Sequence, residues 1–426
     1  MVGFDRKGRA ASADNSTEDS LAELRELAST AGASVAEVIV QSRASPTAAT
    51  LIGPGKVEEI KNRAFALNAD VIIFDHDLTP TQQRNLEKLL DRKVIDRTQL
   101  ILDIFASRAR TREGRLQVEL AQLSYMLPRL SGQGTSLSRL GGGIGTRGPG
   151  ETKLETDRRR IAKRIKKLED DLEQVRSGRS LHRTRRQAVP LPTLALVGYT
   201  NAGKSTLFNR LTNASVMADA RMFATLDPTV RGVTLPSRRR ALISDTVGFI
   251  RNLPTTLVKA FRATLEEVAE ATLILHVVDT SSPHAAAHTA HVLQVLSEIG
   301  AAETRQLLIL NKADLLPPDE RDPEVLRRRM LSDSGGKLDP DAVLIAAFSG
   351  LGIPALLDTI DAVLPFDTVS PARFRIPASD GSDIAFLHEY GRVRQLRYEN
   401  DFCVIDADVS ESLKRRLHRY VESEST

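Results

Sequence analysis

The segment "LPTLALVGYTNAGKSTLFNRL", residues 191–211, constrains the fold more than any other part of the chain. An apolar run of strand length leads into Gly198-x-x-x-x-Gly203-Lys204-Ser205, and a helical pattern follows. In that order, a strand, a glycine loop and a helix allow backbone N–H groups at the helix start to hold phosphate oxygens. The segment therefore predicts a phosphate loop within an α/β domain that has a mostly parallel sheet.

The chemistry of such a loop assigns roles to its residues. Lys204 reaches the β and γ phosphates of a nucleoside triphosphate, and the hydroxyl of Ser205 ligates Mg²⁺. We expect the whole loop to contact the nucleotide, through Gly198, Tyr199, Thr200, Asn201, Ala202, Gly203, Lys204, Ser205 and Thr206.

Three later strand patterns end in residues that complete a GTP site. The first ends in Asp245-x-x-Gly248, which predicts an aspartate that binds Mg²⁺ through water and a glycine N–H that meets the γ phosphate. The second ends in Asn311-Lys312-Ala313-Asp314, and its carboxylate can accept two hydrogen bonds from the N1–H and N2–H₂ groups of guanine. Adenine lacks that pair, so the motif favours GTP over ATP. The remaining expected contacts are Thr246, Val247 and the backbone N–H groups of Ala346, Ala347 and Phe348.

Charge is distributed unevenly along the chain. The net charge is +4, yet residues 108–186 contain 20 Lys and Arg against nine Asp and Glu. The rest of the chain is therefore net acidic, and one concentrated basic segment is typical of a nucleic-acid-binding surface. A solvated helix surface is the alternative for any charge run, but the size of this excess favours a polyanionic partner.

The basic segment also has the pattern of a helical hairpin. Apolar residues recur every three or four positions in two stretches, which predicts two helices with narrow apolar stripes. Helices joined by a loop tend to pair antiparallel. The loop, residues 131–150, is rich in glycine but lacks Gly-Lys-Ser/Thr, so it is not a phosphate loop. We expect a flexible tip that contacts RNA through Arg139 and Arg147, with a simple linker as the alternative. The stripes are Leu116, Leu120, Leu123 and Leu127, then Leu154, Ile161, Ile165, Leu168, Leu172 and Val175.

Composition limits the location of the protein. Cys403 is the single cysteine, so an internal disulfide is impossible. No apolar run approaches the ~20 residues needed to cross a bilayer, and the N-terminus lacks the apolar core of a signal peptide. We therefore expect a cytoplasmic protein with no membrane span.

The patterns divide the chain into five parts, which together predict a multidomain α/β fold. We expect a disordered tail, a small N-terminal α/β domain, the basic helical hairpin, a P-loop GTPase domain and a small α/β C-terminal domain. Their bounds are 1–19, 20–107, 108–186, 190–366 and 371–426.

Five stretches resemble the HflX family of translation-factor-related GTPases. The hairpin motifs and the GTPase motifs occur together, which makes the resemblance specific, and it covers roughly residues 20–365. The stretches are "VIDRTQLILDIFASRARTREGRLQVELAQLSYMLPRL" (94–130), "GGGIGTRGPGETKLETDRRRI" (141–161), "ALVGYTNAGKSTLFN" (195–209), "FATLDPTVR" (223–231) and "DTVGFIRNLP" (245–254).

The resemblance implies a GTPase that binds the large ribosomal subunit and its RNA through the hairpin. Such proteins split or rescue stalled or idle ribosomes, notably under stress. A ribosome-assembly or RNA-remodelling GTPase that acts on the same subunit is the alternative. A signalling switch with a protein partner fits the basic hairpin less well. A GTPase partner in tRNA modification fits less well because Cys403 lies within a strand pattern and not in a C-terminal motif. We expect a monomer, and RNA contacts at Arg139, Arg147, Arg158, Arg159, Arg160 and Lys163.

The resemblance also implies how hydrolysis is carried out. It places the switch threonine, which completes the Mg²⁺ shell, at Thr225, with Thr229 as the alternative. Many GTPases orient the attacking water with a glutamine after the D-x-x-G glycine; here that residue is Phe249, so we expect hydrolysis to be slow without the ribosome. Asn201 resembles the asparagine that binds K⁺ in potassium-activated GTPases, although a loop-capping role is equally consistent. The switch residues expected to contact GTP are Phe223, Ala224, Thr225, Leu226 and Asp227.

Overall fold

The described part of the chain forms three β-sheets with helices packed on them. The computed structural model describes residues 1–6, 17–132, 153–187, 191–212, 222–223, 225–226, 229–251, 267–332, 340–364 and 369–422. The first sheet is parallel, with strand order β2-β1-β3-β4. Its strands are β1 (Val2–Arg6), β2 (Ile39–Arg43), β3 (Val71–Phe74) and β4 (Lys93–Asp96), and its helices are α1 (Thr17–Thr30), α2 (Pro54–Ala66), α3 (Pro80–Leu90) and α4 (Arg97–Arg108).

The prediction of a disordered tail over residues 1–19 is wrong at both of its ends. β1 is an interior strand that pairs in parallel with β2 and β3, and α1 begins at Thr17. The alternation of Val2 and Phe4, which are 2% and 6% exposed, buries one face of the strand. Gly3 allows α1 to approach, because a Cβ at this position would lie 2.7 Å from Leu21 Cδ1. Residues 7–16 lie outside the described residues.

Local sequence signals explain where the helices of this domain start. The sequence Gly53-Pro54-Gly55-Lys56 leads into α2, which begins at Pro54, a residue whose fixed φ suits the first helical position. α3 begins at Pro80, and Thr79 caps it: the Thr79 side chain accepts from the Gln82 N–H while the Gln82 side chain accepts from the Thr79 N–H. This reciprocal pair satisfies two N–H groups that a helix start otherwise leaves unbonded.

The predicted helical hairpin is present. Its arms are α5 (Arg112–Met126), which ends in a 3₁₀ turn at Leu127–Gly132, and α6 (Lys153–Gln187). On α6 the part of the predicted stripe from Ile161 to Val175 is the less exposed face, and Leu168 and Leu172 are buried. On α5 the predicted leucine stripe is only half-buried, because the most buried face of α5 carries other residues, among them Val118, Ala121 and Tyr125. α5 packs on α4 as well as on α6.

The second sheet has six strands in the order β10-β9-β8-β5-β7-β6. Only β6 runs antiparallel to its neighbour, β7, which confirms the predicted mostly parallel sheet. The strands are β5 (Thr193–Gly198), β6 (Thr229–Thr234), β7 (Arg240–Asp245), β8 (Leu273–Asp279), β9 (Gln306–Asn311) and β10 (Asp341–Leu344), with helices α7 (Lys204–Thr212), α8 (Ala285–Glu298), α9 (Pro323–Leu331) and α10 (Ile353–Val363).

The two faces of this sheet pack against different partners. Strand side chains alternate between faces, so Leu194 and Leu196 join one hydrophobic cluster while Ala195 and Val197 join another. The second cluster continues into α1 and α4 of the N-terminal domain and into α5, with Leu24, Phe105 and Tyr125 among its members. The two domains and the first arm of the hairpin therefore share one apolar core.

The C-terminal region matches the predicted small α/β domain. It has a three-stranded antiparallel sheet in the order β11-β13-β12, with Cys403 buried in the middle strand. Its elements are β11 (Val369–Pro377), α11 (Gly381–Tyr390), β12 (Arg392–Glu399), β13 (Phe402–Ser410) and α12 (Glu411–Arg416).

Candidate functional site

The predicted phosphate loop connects the end of β5 to the start of α7. Its two glycines are required by the local backbone: both have positive φ, and a Cβ at Gly198 would collide with the Val277 carbonyl, while one at Gly203 would collide with the Asn311 side chain. Lys204 is buried, and its Nζ donates to the carbonyl oxygens of Gly198 and Tyr199 at 3.1 and 2.8 Å. Burial lowers the pKa of Lys204 to about 8, opposed by the nearby charge of Asp245.

Three oxygen-bearing side chains converge beside the loop. Asp245 Oδ2 accepts hydrogen bonds from Ser205 Oγ and Thr225 Oγ1, both at 2.8 Å, and the two hydroxyl oxygens are 2.9 Å apart. Asp245 is fully buried and its Oδ1 has no partner among the described residues. Burial raises the pKa of Asp245, while the hydrogen bonds from Ser205 and Thr225 and the charge of Lys204 act to lower it. Hydroxyl and carboxylate oxygens are the donors that Mg²⁺ prefers, so this cluster fits such an ion.

The geometry separates the two candidate threonines of the first switch segment. Thr225 reaches Asp245, whereas Thr229 begins β6 and pairs opposite Asp245 in the β6–β7 ladder. Phe223 and Leu226 are buried in the shared apolar core beside Thr225. The predicted contacts Ala224 and Asp227 lie outside the described residues.

The second switch segment, residues 245–251, lies against the phosphate loop. The Thr200 N–H donates to the Phe249 carbonyl at 2.8 Å, and the Phe249 N–H donates to the Gly198 carbonyl at 3.1 Å. A side chain at position 248 would be crowded, because a Cβ would lie 2.9 Å from Lys204 Nζ and 3.0 Å from Thr200 Cα. The Phe249 side chain is 2% exposed, so it is packed in the apolar core and does not point toward the solvent.

The predicted base-recognition residues surround a second loop. Asn311 is buried and joins two segments, since its Nδ2 donates to the Ala202 carbonyl at 2.8 Å and its Oδ1 accepts from the Ala347 N–H at 2.9 Å. Lys312 Nζ pairs with Asp279 at 2.6 Å, a partner that no sequence pattern indicated. Asp314 is exposed, as base recognition requires.

The loop formed by Ala346, Ala347 and Phe348 is only partly available to a ligand. The Ala346 N–H donates to the Leu351 carbonyl at 2.9 Å, and the Ala347 N–H is used by Asn311. The side chains of Ala346 and Ala347 are buried, whereas that of Phe348 is 84% exposed. Among the described residues, neither the exposed Asp314 carboxylate nor the Phe348 N–H makes a hydrogen bond, so both keep an open hydrogen-bonding position on this side of the site.

The basic residues predicted to contact RNA fall on the long helix and its loop. Arg158, Arg159, Arg160 and Lys163 are exposed on α6. Arg160 has one ion pair, with Asp157 at 3.7 Å on the same helix. Arg139 and Arg147 lie in the loop outside the described residues.

Sequence reasoning missed the contact between the N-terminal domain and the phosphate loop. Tyr199 OH donates to Glu23 of α1, and the Tyr199 ring is stacked on His288 with the centroids 3.8 Å apart. Glu23 also pairs with Arg97 at the start of α4. A cavity of about 220 Å³ lies next to this contact, between α1, the phosphate loop and α8. Glu23 belongs to no recognisable motif and the contact depends on how two domains pack, so a single sequence carries no signal for it.

Comparison with known families agrees with this arrangement. Three family models match successive parts of the chain. They are described as "GTP-binding GTPase N-terminal" (residues 18–106), "GTP-binding GTPase Middle Region" (108–186) and "50S ribosome-binding GTPase" (193–312). No helix in the described part of the chain is both long enough and apolar enough to cross a membrane.

Several curated relatives are similar along most of their length. A protein named GTPase HflX from Caldanaerobacter subterraneus subsp. tengcongensis is 46% identical, over 95% of this chain and 91% of its own length. The GTPase HflX of Escherichia coli is 46% identical, over 86% of this chain and 84% of its own length. A solved GTP-binding protein from Sulfolobus solfataricus in complex with GDP is 25% identical, over 85% of this chain and 97% of its own length, with a TM-score of 0.44. With its GTP-site geometry and this identity to curated relatives, the chain belongs to the HflX family of GTPases.

Proposed function

We propose that this GTPase binds the large ribosomal subunit through its basic hairpin and splits or rescues stalled or idle ribosomes, especially under stress. The observation that carries the proposal is the single apolar core that joins the two switch segments to α4 and α5. A change in the switches can be transmitted through that core to the hairpin, which carries the basic surface. The name of the family model, "50S ribosome-binding GTPase", supports the choice of subunit.

In the proposed nucleotide complex, each side chain of the site has one task. Ser205 and Thr225 would hold Mg²⁺ directly, and Asp245 would hold it through water. Bound Mg²⁺ neutralises charge on the β and γ phosphate oxygens. Lys204 supplies a further positive charge to the same oxygens, and the Gly248 N–H donates to the γ phosphate. Asp314 accepts two hydrogen bonds from guanine, and the remaining predicted contacts enclose the nucleotide.

We further propose that hydrolysis is slow until a partner completes the site. The Phe249 side chain has no hydrogen-bonding group and is packed in the apolar core, so it cannot orient the attacking water. The ribosome would supply or order the missing element. Asn201, which has an exposed side chain and a φ of 61° in the phosphate loop, is the residue that would hold K⁺ near the phosphates.

The contact between Phe105 and Phe223 marks the proposed route from nucleotide to hairpin. Their rings meet edge to face with centroids 4.5 Å apart, and Phe105 lies in α4, directly before the first arm of the hairpin. Phe223 is two residues from Thr225. If the γ phosphate moves Thr225, the ring contact must shift, because close-packed apolar groups do not deform continuously.

A subunit-dissociation assay tests the proposed function. Intact ribosomes would be mixed with the protein and with GTP, GDP or a non-hydrolysable GTP analogue, and light scattering would follow their mass. We expect scattering to fall with GTP or the analogue and to stay constant with GDP. A constant signal in every state, with binding only to immature large subunits, would instead favour the ribosome-assembly alternative.

A further inference from the structure

Arg210, on the helix that follows the phosphate loop, is bonded to the backbone of residues 346–350, the base loop. Its Nε donates to the Ala347 carbonyl at 3.3 Å, and its Nη2 donates to the Phe348 carbonyl. The guanidinium also lies beside Gly350, where a Cβ would be 3.7 Å from Arg210 Cζ. One side chain of α7 therefore holds two successive carbonyl groups of the base loop.

Other hydrogen bonds fasten the base loop but leave one donor open. The Ala347 N–H donates to Asn311 Oδ1, and the Ala346 N–H donates to the Leu351 carbonyl, both at 2.9 Å. Among the described residues, no hydrogen bond uses the Phe348 N–H. That N–H group is therefore available to a ligand.

The bond from Arg210 to the Ala347 carbonyl also fixes the direction of the Phe348 N–H. The carbonyl and the N–H belong to one planar peptide unit, and the described part of the chain contains no cis peptide bond. In a trans unit the two groups point in opposite directions. The Phe348 N–H therefore points away from the guanidinium, and a rotation of this peptide unit would break the bond to Arg210.

Guanine carries an acceptor that matches this donor. Its O6 atom lies next to the N1–H group that Asp314 is proposed to bind, and adenine has an N–H donor at the same position. The two loops are tied together, since the Ala313 N–H donates to the Ile345 carbonyl at 3.1 Å. A fixed N–H donor beside Asp314 would therefore accept guanine and oppose adenine.

We propose that Arg210 is a positioning residue for guanine, which aims the Phe348 N–H at O6 of the base by holding the Ala347 and Phe348 carbonyls. Arg210 itself touches neither the base nor the phosphates. A single helix therefore starts at the phosphates and also orients the backbone that reads the base. This inference rests on the proposed guanine site and is independent of the proposed action on ribosomes.

Binding of three nucleoside diphosphates to the full-length chain, measured by calorimetry without ribosomes, tests the inference. They are GDP, inosine diphosphate, which lacks the N2 amino group, and 6-thioguanosine diphosphate, in which a weakly accepting sulfur replaces O6. We expect Arg210→Gln to weaken binding of the first two about tenfold each, as the loss of one hydrogen bond would. Binding of the thio compound should weaken by less than about threefold.

Arg305→Gln is the matched control. Arg305 is also an exposed arginine that donates to a backbone carbonyl, that of Val363 at 3.2 Å, but it directly precedes β9, at the end opposite to Asn311. All three affinities of this variant should equal those of the wild type. The proposed role of Asp314 is read separately, from the ratio of the GDP and inosine diphosphate affinities in the wild type.

Two results for Arg210→Gln would overturn the inference. Equal losses for all three diphosphates would mean that Arg210 only stabilises the domain, and an unchanged affinity for GDP would mean that it does not position the base loop. Arg210→Lys is the second variant, because it keeps the charge but lacks the planar fork that holds two carbonyls. It should show the same order of losses, and it decides the question should Arg210→Gln fail to fold.

Discussion

At the scale of single residues, the cluster of Ser205, Thr225 and Asp245 makes the sharpest prediction. Thr225→Ala removes a proposed Mg²⁺ ligand that already contacts Asp245, so we expect GTP turnover to fall about 100-fold. Thr229→Ala is the control, because Thr229 starts β6 and lies opposite Asp245 only through the pairing of the β6 and β7 strands. Turnover at a range of Mg²⁺ concentrations measures both. Equal losses in the two variants would contradict the assignment of the switch threonine.

His288, stacked on Tyr199, predicts how stability at the domain contact depends on pH. Burial, then Arg251 and His284, lower the pKa of His288 to about 4, against about 6.5 in an unfolded chain. Between these values only the unfolded chain takes up the proton, so stability is present above pH 6.5 and is lost as the pH falls toward 4. From pH 7 to pH 5 this residue should cost about 2 kcal/mol.

Chemical denaturation at the two pH values checks this prediction. His288→Phe keeps a flat ring on Tyr199 but removes the titrating group, so this variant should lose about 2 kcal/mol less than the wild type between pH 7 and pH 5. The same loss in both proteins would mean that other groups cause the acid sensitivity.

At the scale of elements, Arg129, in the 3₁₀ turn that follows α5, fixes the loop end of the first hairpin arm to the N-terminal domain. Its guanidinium donates to the Leu78 carbonyl at 2.8 Å, to Gln83 at 3.0 Å and to the buried Asp96 at 3.3 Å. It also lies over the Tyr125 ring, 3.4 Å from the centroid. The planar fork of arginine makes these contacts together, which a lysine cannot do.

Arg129→Lys should therefore destabilise the protein by about 2 kcal/mol although the charge is retained. Arg164→Lys is a matched control on α6: Arg164 has a two-bonded pair with Glu119, at 2.7 and 2.8 Å, but that pair is exposed. Exposed pairs contribute little, so the control should unfold at nearly the same urea concentration as the wild type. Unfolding curves in urea give both values. A larger effect at Arg164 would argue against the assigned role of Arg129.

The exposed basic residues of α6 predict how binding to ribosomal RNA depends on salt. Replacing Arg158, Arg160 and Lys163 with glutamine should weaken binding to large subunits and lower the slope of log K against log salt by about 0.7–0.9 per lost phosphate contact. Lys414 and Arg415 on α12 provide a control pair of basic residues. Binding measured between low and physiological salt distinguishes the two sets. An unchanged slope in the α6 variant would place the RNA contact elsewhere.

The helices, strands and loops also show which features of this protein its sequence can predict and which it cannot. The phosphate loop, the strand ends and the hairpin stripe of α6 are local patterns, so Gly203, Asp245 and Leu168 could be placed from the sequence. β1 could not, because five residues next to a polar run carry too weak a periodic signal, and its partners lie more than 30 residues away. The Glu23–Tyr199 contact could not either, because it depends on how two domains pack.

At the scale of the whole molecule, the arrangement joins a GTP site, an interdomain core and a basic hairpin in one continuous structure. The switch segments contribute Met222, Phe223 and Ile250 to a core that also contains α1, α4 and α5. A nucleotide-dependent change cannot therefore stay within the nucleotide-binding domain, since the packed groups must move together or separate. This coupling is the physical basis of the proposed action on ribosomes.

GTP turnover by the purified chain, alone and with isolated large ribosomal subunits, tests this account most directly. Small subunits and tRNA serve as controls, and each assay is repeated in K⁺ and in Na⁺. The account predicts slow turnover alone and stimulation of more than about tenfold by large subunits only, with a further gain in K⁺ if Asn201 holds that ion. No stimulation, or stimulation by small subunits or tRNA instead, would contradict it.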